Sequence, residues 1–188
     1  MASVAELASV DEARSKPVGT FATPPGVVAV VAIALAAGCF VKFEAMDRAV
    51  VAAGFCAVLV MLAAIDLERR IIPNRIVVPA GVAVLLGHIA AQPHRAKEWT
   101  IAAFATLLVG VLVSLATRGG IGMGDAKLGF LMGAGLGWSI VGALVWAALG
   151  VFVAALVVLA RGGLGARKDT LPFGPFLALC AVLALFLS

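Results

Sequence analysis

Two aspartates, Asp66 and Asp125, lie at the edges of apolar runs in a chain with only 13% charged residues. An ionisable side chain at the edge of a hydrocarbon core is costly, so each is a candidate functional group. Two carboxylates brought together can share one proton, so that one accepts a proton from water while the other polarises a carbonyl group. Such a pair is the minimal apparatus for hydrolysing a peptide bond without a covalent intermediate or a metal.

The residues around each aspartate indicate where it lies. Asp66 ends one apolar run and is followed by Pro73, while Asp125 follows a glycine-rich segment and begins a later run. We expect Asp66 at a helix carboxyl terminus and Asp125 at a helix amino terminus, where the dipole favours the anion. As a hypothesis, Asp66 then holds the shared proton and Asp125 is the base, although a coupled pair titrates as a unit.

Gly122 and Gly124 precede Asp125, and both are predicted to support substrate binding. Backbone without side chains lets an extended substrate approach, and glycine adopts positive φ without penalty. Asn74 is predicted to cap the helix that follows Pro73. Other interpretations stay open for each feature alone: Asp125 as a helix cap, Asp66 as a residue facing lipid headgroups, and the glycines as a turn or a helix contact.

The composition predicts the elements that must position these residues. The chain is 63% hydrophobic, its mean hydropathy is +1.15, and it contains no tyrosine. Abundant Ala, Val, Leu and Gly favour an all-α membrane protein, a polytopic transmembrane helix bundle of about six to seven spans. The apolar runs cover about 26–43, 49–65, 76–92, 99–117, 126–136, 138–160 and 171–187. Gly135-Leu136-Gly137 is predicted to separate a short helix from a long one; whether the short helix 126–136 fully spans is left open.

The charge pattern predicts the orientation. Residues 1–25 are interpreted as a polar cytosolic tail and residues 26–188 as the transmembrane domain. With the amino terminus inside and seven crossings, ten of the fourteen Lys and Arg residues lie inside. The four outside are Lys42, Arg48, Arg95 and Lys97. This arrangement obeys the positive-inside rule, so both aspartates are expected at the cytosolic face of the cytoplasmic membrane.

Other polar and sulfur-containing residues are assigned no chemistry. Cys39, Cys56 and Cys180 lie in separate apolar runs without a CxxC pair, so they are interpreted as small hydrophobic residues, and neither a metal nor a cofactor is expected. His88 is interpreted as a packing or interfacial residue and Lys127 as an anchor at the inner face. The basic residues are scattered between apolar runs, so lipid rather than nucleic acid is the expected surroundings.

Four segments in a fixed order resemble a known family. D-x6-P-N at Asp66 to Asn74, GMGDAKL at residues 122–128, GLGW at 135–138 and LPFGP at 171–175 resemble the type IV prepilin peptidases, which are polytopic intramembrane aspartic proteases. The resemblance covers roughly residues 50–188. It implies that Asp66 and Asp125 are catalytic, and that the substrates are prepilins or pseudopilins whose basic leader is removed at the cytoplasmic side, ahead of their hydrophobic helix.

One departure from that family concerns the paired CxxC motifs of its longer members, which are associated with methylation. This sequence has none, so it is similar to short, peptidase-only members and methylation is not expected. Two other classes remain as alternatives: a multi-span ion- or proton-coupled transporter, and a non-catalytic membrane subunit of pilus assembly. The sequence names neither the prepilin nor the oligomeric state.

Overall fold

The computed structural model describes residues 24–69, 72–116, 123–162 and 173–187. These form seven α-helices: α1 (Pro25–Lys42), α2 (Met46–Arg69), α3 (Asn74–Ala91), α4 (Ala96–Ala116), α5 (Met123–Leu136), α6 (Ile140–Gly162) and α7 (Phe173–Leu187). The tail at 1–23, the glycine segment at 117–122, and Leu171 and Pro172 lie outside the described residues. The prediction of an all-α bundle is confirmed.

Helix length and composition agree with a membrane protein. Within the described ranges, four helical stretches are long and apolar enough to cross a membrane: Met46–Glu68, Asn74–Ala91, Pro93–Ala116 and Met123–Gly150. Two shorter apolar helices cover Gly26–Lys42 and Phe176–Leu187. Large exposed hydrophobic side chains such as Val30, Leu86 and Trp146 fit an outer surface that faces lipid. The number of crossings, six or seven, stays a prediction.

The break between α5 and α6 lies where the glycines predicted it. Helix α5 ends at Leu136, and a short 3-10 turn covers Gly137–Ser139. Gly137 has φ of +56°, a left-handed conformation that favours glycine. A Cβ added at Gly137 would lie 3.0 Å from the Trp99 ring, so a side chain would also be crowded there.

Helix α5 is the central element of the bundle. Every residue from Phe130 to Gly137 is buried. Small residues let α4 and α5 approach closely: a Cβ added at Gly133 would lie 2.6 Å from the Ala102 carbonyl oxygen. The Thr106 Oγ1 of α4 lies 2.9 Å from the Gly129 carbonyl oxygen of α5 and can donate a hydrogen bond to it. Close backbone approach through glycine is the usual way in which membrane helices associate.

Contacts between helix ends define two ends of the bundle. We call the end that contains the carboxyl terminus of α2 and the amino terminus of α5 the aspartate end. The opposite end, where Lys42 of α1 donates a 2.8 Å hydrogen bond to the Leu185 carbonyl oxygen of α7, is the far end. Arg48 and Asp66 lie 18 residues apart on α2, so the two ends are separated by roughly 27 Å along that helix.

Candidate active site

Asp66 lies in the last turn of α2, as the apolar run before it predicts. Its side chain is only 8% exposed, and the neighbouring Ile65 is buried as well. A narrow gap beside Asp66 is lined on its other sides by Leu62, Ile72 and Leu128. The carboxylate is therefore enclosed by the ends of α2 and α5 and by the segment that follows α2.

Asp125 is the third residue of α5 and lies in its first turn, where the unpaired N–H groups and the dipole favour a carboxylate. Its side chain is partly exposed. Asp125 and Asp66 lie within electrostatic range of each other. The structure thus brings the two sequence-predicted aspartates from separate helices to one end of the bundle.

Gly124 packs closely against the segment that follows Asp66. A Cβ added at Gly124 would lie 3.1 Å from the Cβ of Ile72, which belongs to the segment after α2. Gly124 is helical, and the positive-φ glycine among the described residues is Gly137, so the role of Gly124 in substrate binding stays a prediction. Its small size matters for close packing. Gly122 lies outside the described residues, and its role stays a prediction.

A hydrogen bond joins the two motifs directly. The Lys127 Nζ donates to the Asn74 Oδ1 at 2.8 Å, across 53 positions of sequence. The prediction that Asn74 caps α3 is wrong: Pro73 occupies the cap position, Asn74 is the first helical residue, and the Asn74 side chain accepts from Lys127 instead. Sequence reasoning missed this contact. The sequence did contain a signal for it: the donor Lys127 lies two residues after Asp125, and the acceptor Asn74 lies just after Pro73, at the same expected membrane depth.

An apolar groove runs along α1, α2 and α7 and reaches the aspartate end. Its volume is about 360 Å³. The lining residues include Val27, Val31, Leu35, Ala63, Leu67 and Val182. Ala63 and Leu67 lie within one turn of Asp66 on α2, so the groove leads to the carboxylate pair. The sequence did not predict it, since α1 and α7 carry no polar residue that marks the groove.

The remaining candidates lie away from this site. Cys39 and Cys56 are fully buried in the core, with their Sγ atoms 3.8 Å apart. His88 is buried and stacks on Trp99, with ring centroids 4.1 Å apart, in keeping with its interpretation as a packing residue. Within the part of the chain that the structure describes, no three His, Cys, Asp or Glu side chains meet as a metal site.

Known proteins resemble this chain over most of its helices. Two curated relatives, named "Prepilin leader peptidase/N-methyltransferase" in Burkholderia pseudomallei strains 1026b and K96243, are each 33% identical over 158 residues. The match covers 81% of this chain and 51% of each relative, so the chain spans about half the length of the curated relatives that it matches. No solved structure matches it. The model of the type IV leader peptidase family matches residues 53–161, which include both aspartates, and the chain belongs to that family.

Proposed function

We propose that the protein is an intramembrane aspartic endopeptidase that removes the basic leader from type IV prepilins or pseudopilins at the cytoplasmic face of the cell membrane. The observation that carries this proposal is the placement of Asp66 and Asp125 at one end of the bundle, within electrostatic range of each other. Family membership and the name of the Burkholderia relatives support the substrate class. The Lys127 and Arg75 side chains belong to the aspartate end, in keeping with an inside orientation.

The proposed mechanism uses one shared proton. The deprotonated aspartate accepts a proton from water, and the resulting hydroxide attacks the scissile carbonyl carbon. The protonated aspartate donates a hydrogen bond to the carbonyl oxygen and stabilises the charge that develops there. The aspartate that accepted the proton from water then donates that proton to the leaving nitrogen. The assignment of the proton to Asp66 and of the base to Asp125 stays a prediction from the helix ends.

The apolar groove provides a place for the part of the substrate that is not cleaved. A prepilin carries a hydrophobic helix after its leader, and valine and alanine side chains from α1, α2 and α7 offer a complementary surface. Because a helix hides its carbonyl groups in its own hydrogen bonds, the segment at the scissile bond must unwind before attack. The segment that precedes Asp125 is where an extended substrate would pass.

The test replaces each aspartate by its isosteric amide. Membranes that contain Asp66→Asn or Asp125→Asn are mixed with a tagged prepilin, and the new amino terminus is mapped by mass spectrometry. We expect each variant to lose cleavage by at least about a thousandfold, since either change removes the shared proton and charge. Asp47→Asn, at the opposite end of α2, is the matched control and should cleave normally. Normal processing by either active-site variant would exclude the aspartic mechanism and favour a transport or assembly role.

A further inference from the structure

A second cavity lies at the far end of the bundle and has no part in the proposed peptidase reaction. Its volume is about 310 Å³, within the lower range of ligand pockets. It lies between the α1–α2 connection, the α3–α4 connection and the end of α5. The polar and aromatic side chains that line it include Lys42, Arg48, His88, Gln92, Arg95 and Trp99.

The charge that lines this cavity is positive. Three of its side chains are cationic, namely Lys42, Arg48 and Arg95, and none of the described residues that line it is acidic. Glu98 accepts a 2.6 Å hydrogen bond from Arg95, but Glu98 does not line the cavity. Lys42 donates to a backbone carbonyl. With the amide oxygen turned toward the guanidinium, the Gln92 side chain accepts two hydrogen bonds from Arg48, at 2.8 and 3.2 Å. Two of the three cations therefore have neutral partners.

Two residues that line the same cavity, His88 and Trp99, carry buried ring nitrogen atoms without partners. His88 is 6% exposed and Trp99 is 8% exposed. Among the described residues, neither ring nitrogen of His88 nor the Nε1 of Trp99 has a hydrogen-bond partner. Indole nitrogen can only donate, and a neutral imidazole has one donor. Buried polar atoms of a folded protein are almost always paired, so these donors indicate a missing acceptor.

The position of the cations adds to this argument. The predicted topology places four Lys and Arg residues at the outer face, where the positive-inside rule disfavours them. Three of those four line this one cavity, and Lys97 is the exception. The far end of a membrane-spanning bundle lies at the depth of lipid headgroups. Basic pockets between membrane helices are suited to anionic headgroups.

We propose that the far-end cavity binds a phosphate group, supplied either by an anionic phospholipid headgroup or by inorganic phosphate. The oxygens of a phosphate accept hydrogen bonds from Trp99 Nε1, from the His88 N–H and from the guanidinium groups of Arg48 and Arg95. Glu44 and Asp47 belong to the same end, but they do not line the cavity and leave its excess of donors intact. The site is independent of peptidase activity, because it lies at the opposite end of α2 from Asp66.

The test measures binding to the intact, delipidated protein in a phosphate-free, uncharged detergent. The probe is the fluorescence of Trp99 in a Trp138→Phe, Trp146→Phe background, which removes the two exposed tryptophans. The ligands are inorganic phosphate, short-chain phosphatidylglycerol, and phosphate-free dioctanoylglycerol, with chloride at equal ionic strength as reference. The variants are Arg48→Gln and His88→Phe, which keeps the stacked ring, with Lys97→Gln as the matched loss of charge outside the cavity.

We expect saturable binding that weakens about tenfold or more in Arg48→Gln and His88→Phe, and stays unchanged in Lys97→Gln. A response to both phosphate ligands identifies the phosphate group alone as the ligand, and a response only to phosphatidylglycerol identifies the lipid as its source. The proposal is overturned if chloride or dioctanoylglycerol gives the same response, if Lys97→Gln weakens binding equally, or if neither phosphate ligand binds. Should Arg48→Gln fail to fold, His88→Phe decides alone.

Discussion

Lys127 and Asn74 form a 2.8 Å hydrogen bond that links the amino-terminal parts of α5 and α3. Lys127 is two residues after Asp125, and Asn74 is eight residues after Asp66. This contact therefore ties the two segments that carry the proposed catalytic pair. We infer that Lys127 positions Asp125, a role that an anchor at the end of a membrane helix would not have.

Replacing Lys127 by Met should slow cleavage without unfolding the protein. The bond is exposed, so its loss should change the free energy of unfolding by less than about 1.5 kcal/mol. Because Asp125 then loses a constraint, we expect kcat to fall about three- to tenfold with KM unchanged. The measurement is steady-state cleavage of a purified prepilin, with Lys97→Met at the far end as the control.

A double-mutant cycle separates this role from a general effect of charge. If Lys127 acts through Asn74, then Lys127→Met combined with Asn74→Leu should be no slower than either single variant. Additive losses of rate would show that the two side chains act separately and would contradict the positioning role.

Gly124 is predicted to be sensitive to an added methyl group. Its Cβ would lie 3.1 Å from the Cβ of Ile72, an atom bonded directly to backbone that cannot swing aside. We expect Gly124→Ala to push α5 away from the segment after Asp66 and to reduce kcat about tenfold. Adding Ile72→Gly should restore much of the rate, because glycine removes the obstructing Cβ. A fully active single variant would show that the contact does not set the position of Asp125.

The sequence predicted those features that depend on short-range pattern. Apolar runs located the helices, and the glycines at 135 and 137 located the break before α6, because glycine takes up the left-handed turn there. The two aspartates were predicted at one end from run boundaries and alternation of direction alone, and the structure brings Asp66 and Asp125 to that end.

Contacts between distant segments were not predictable in the same way. The function of Asn74 as a hydrogen-bond acceptor depends on where Lys127 arrives, and only the packing of α5 against α3 decides that. Gly124 was predicted to support substrate binding, and its close approach to Ile72 is a packing contact that the sequence did not indicate. The same applies to the far-end cavity, whose donors come from five different helices and connections. Tertiary packing thus determined what local propensity left open.

Gly133 should be among the least replaceable residues for stability. A Cβ there would lie 2.5 Å from Thr106 Oγ1 and 2.8 Å from the Ala103 Cα, so α4 and α5 would have to separate. We expect Gly133→Ala to lower the free energy of unfolding by about 1–3 kcal/mol, measured by thermal unfolding in detergent. Gly54→Ala on α2 is the control, because its Cβ would meet no atom within 4 Å. Equal stability of the two variants would contradict this packing.

Filling the apolar groove should weaken binding of the substrate's hydrophobic helix and leave the cleavage step unchanged. Val31 lines the groove, while Val30 is 66% exposed on the same helix and does not line it. We expect Val31→Trp to lower kcat/KM for full-length prepilin roughly tenfold, since one lost apolar contact costs about 1–3 kcal/mol. Val30→Trp should be neutral. A soluble peptide that contains the leader and the scissile bond, but lacks the hydrophobic helix, should be cleaved equally by both variants. A loss of its cleavage in Val31→Trp would point to damage at Asp66 rather than to a filled groove.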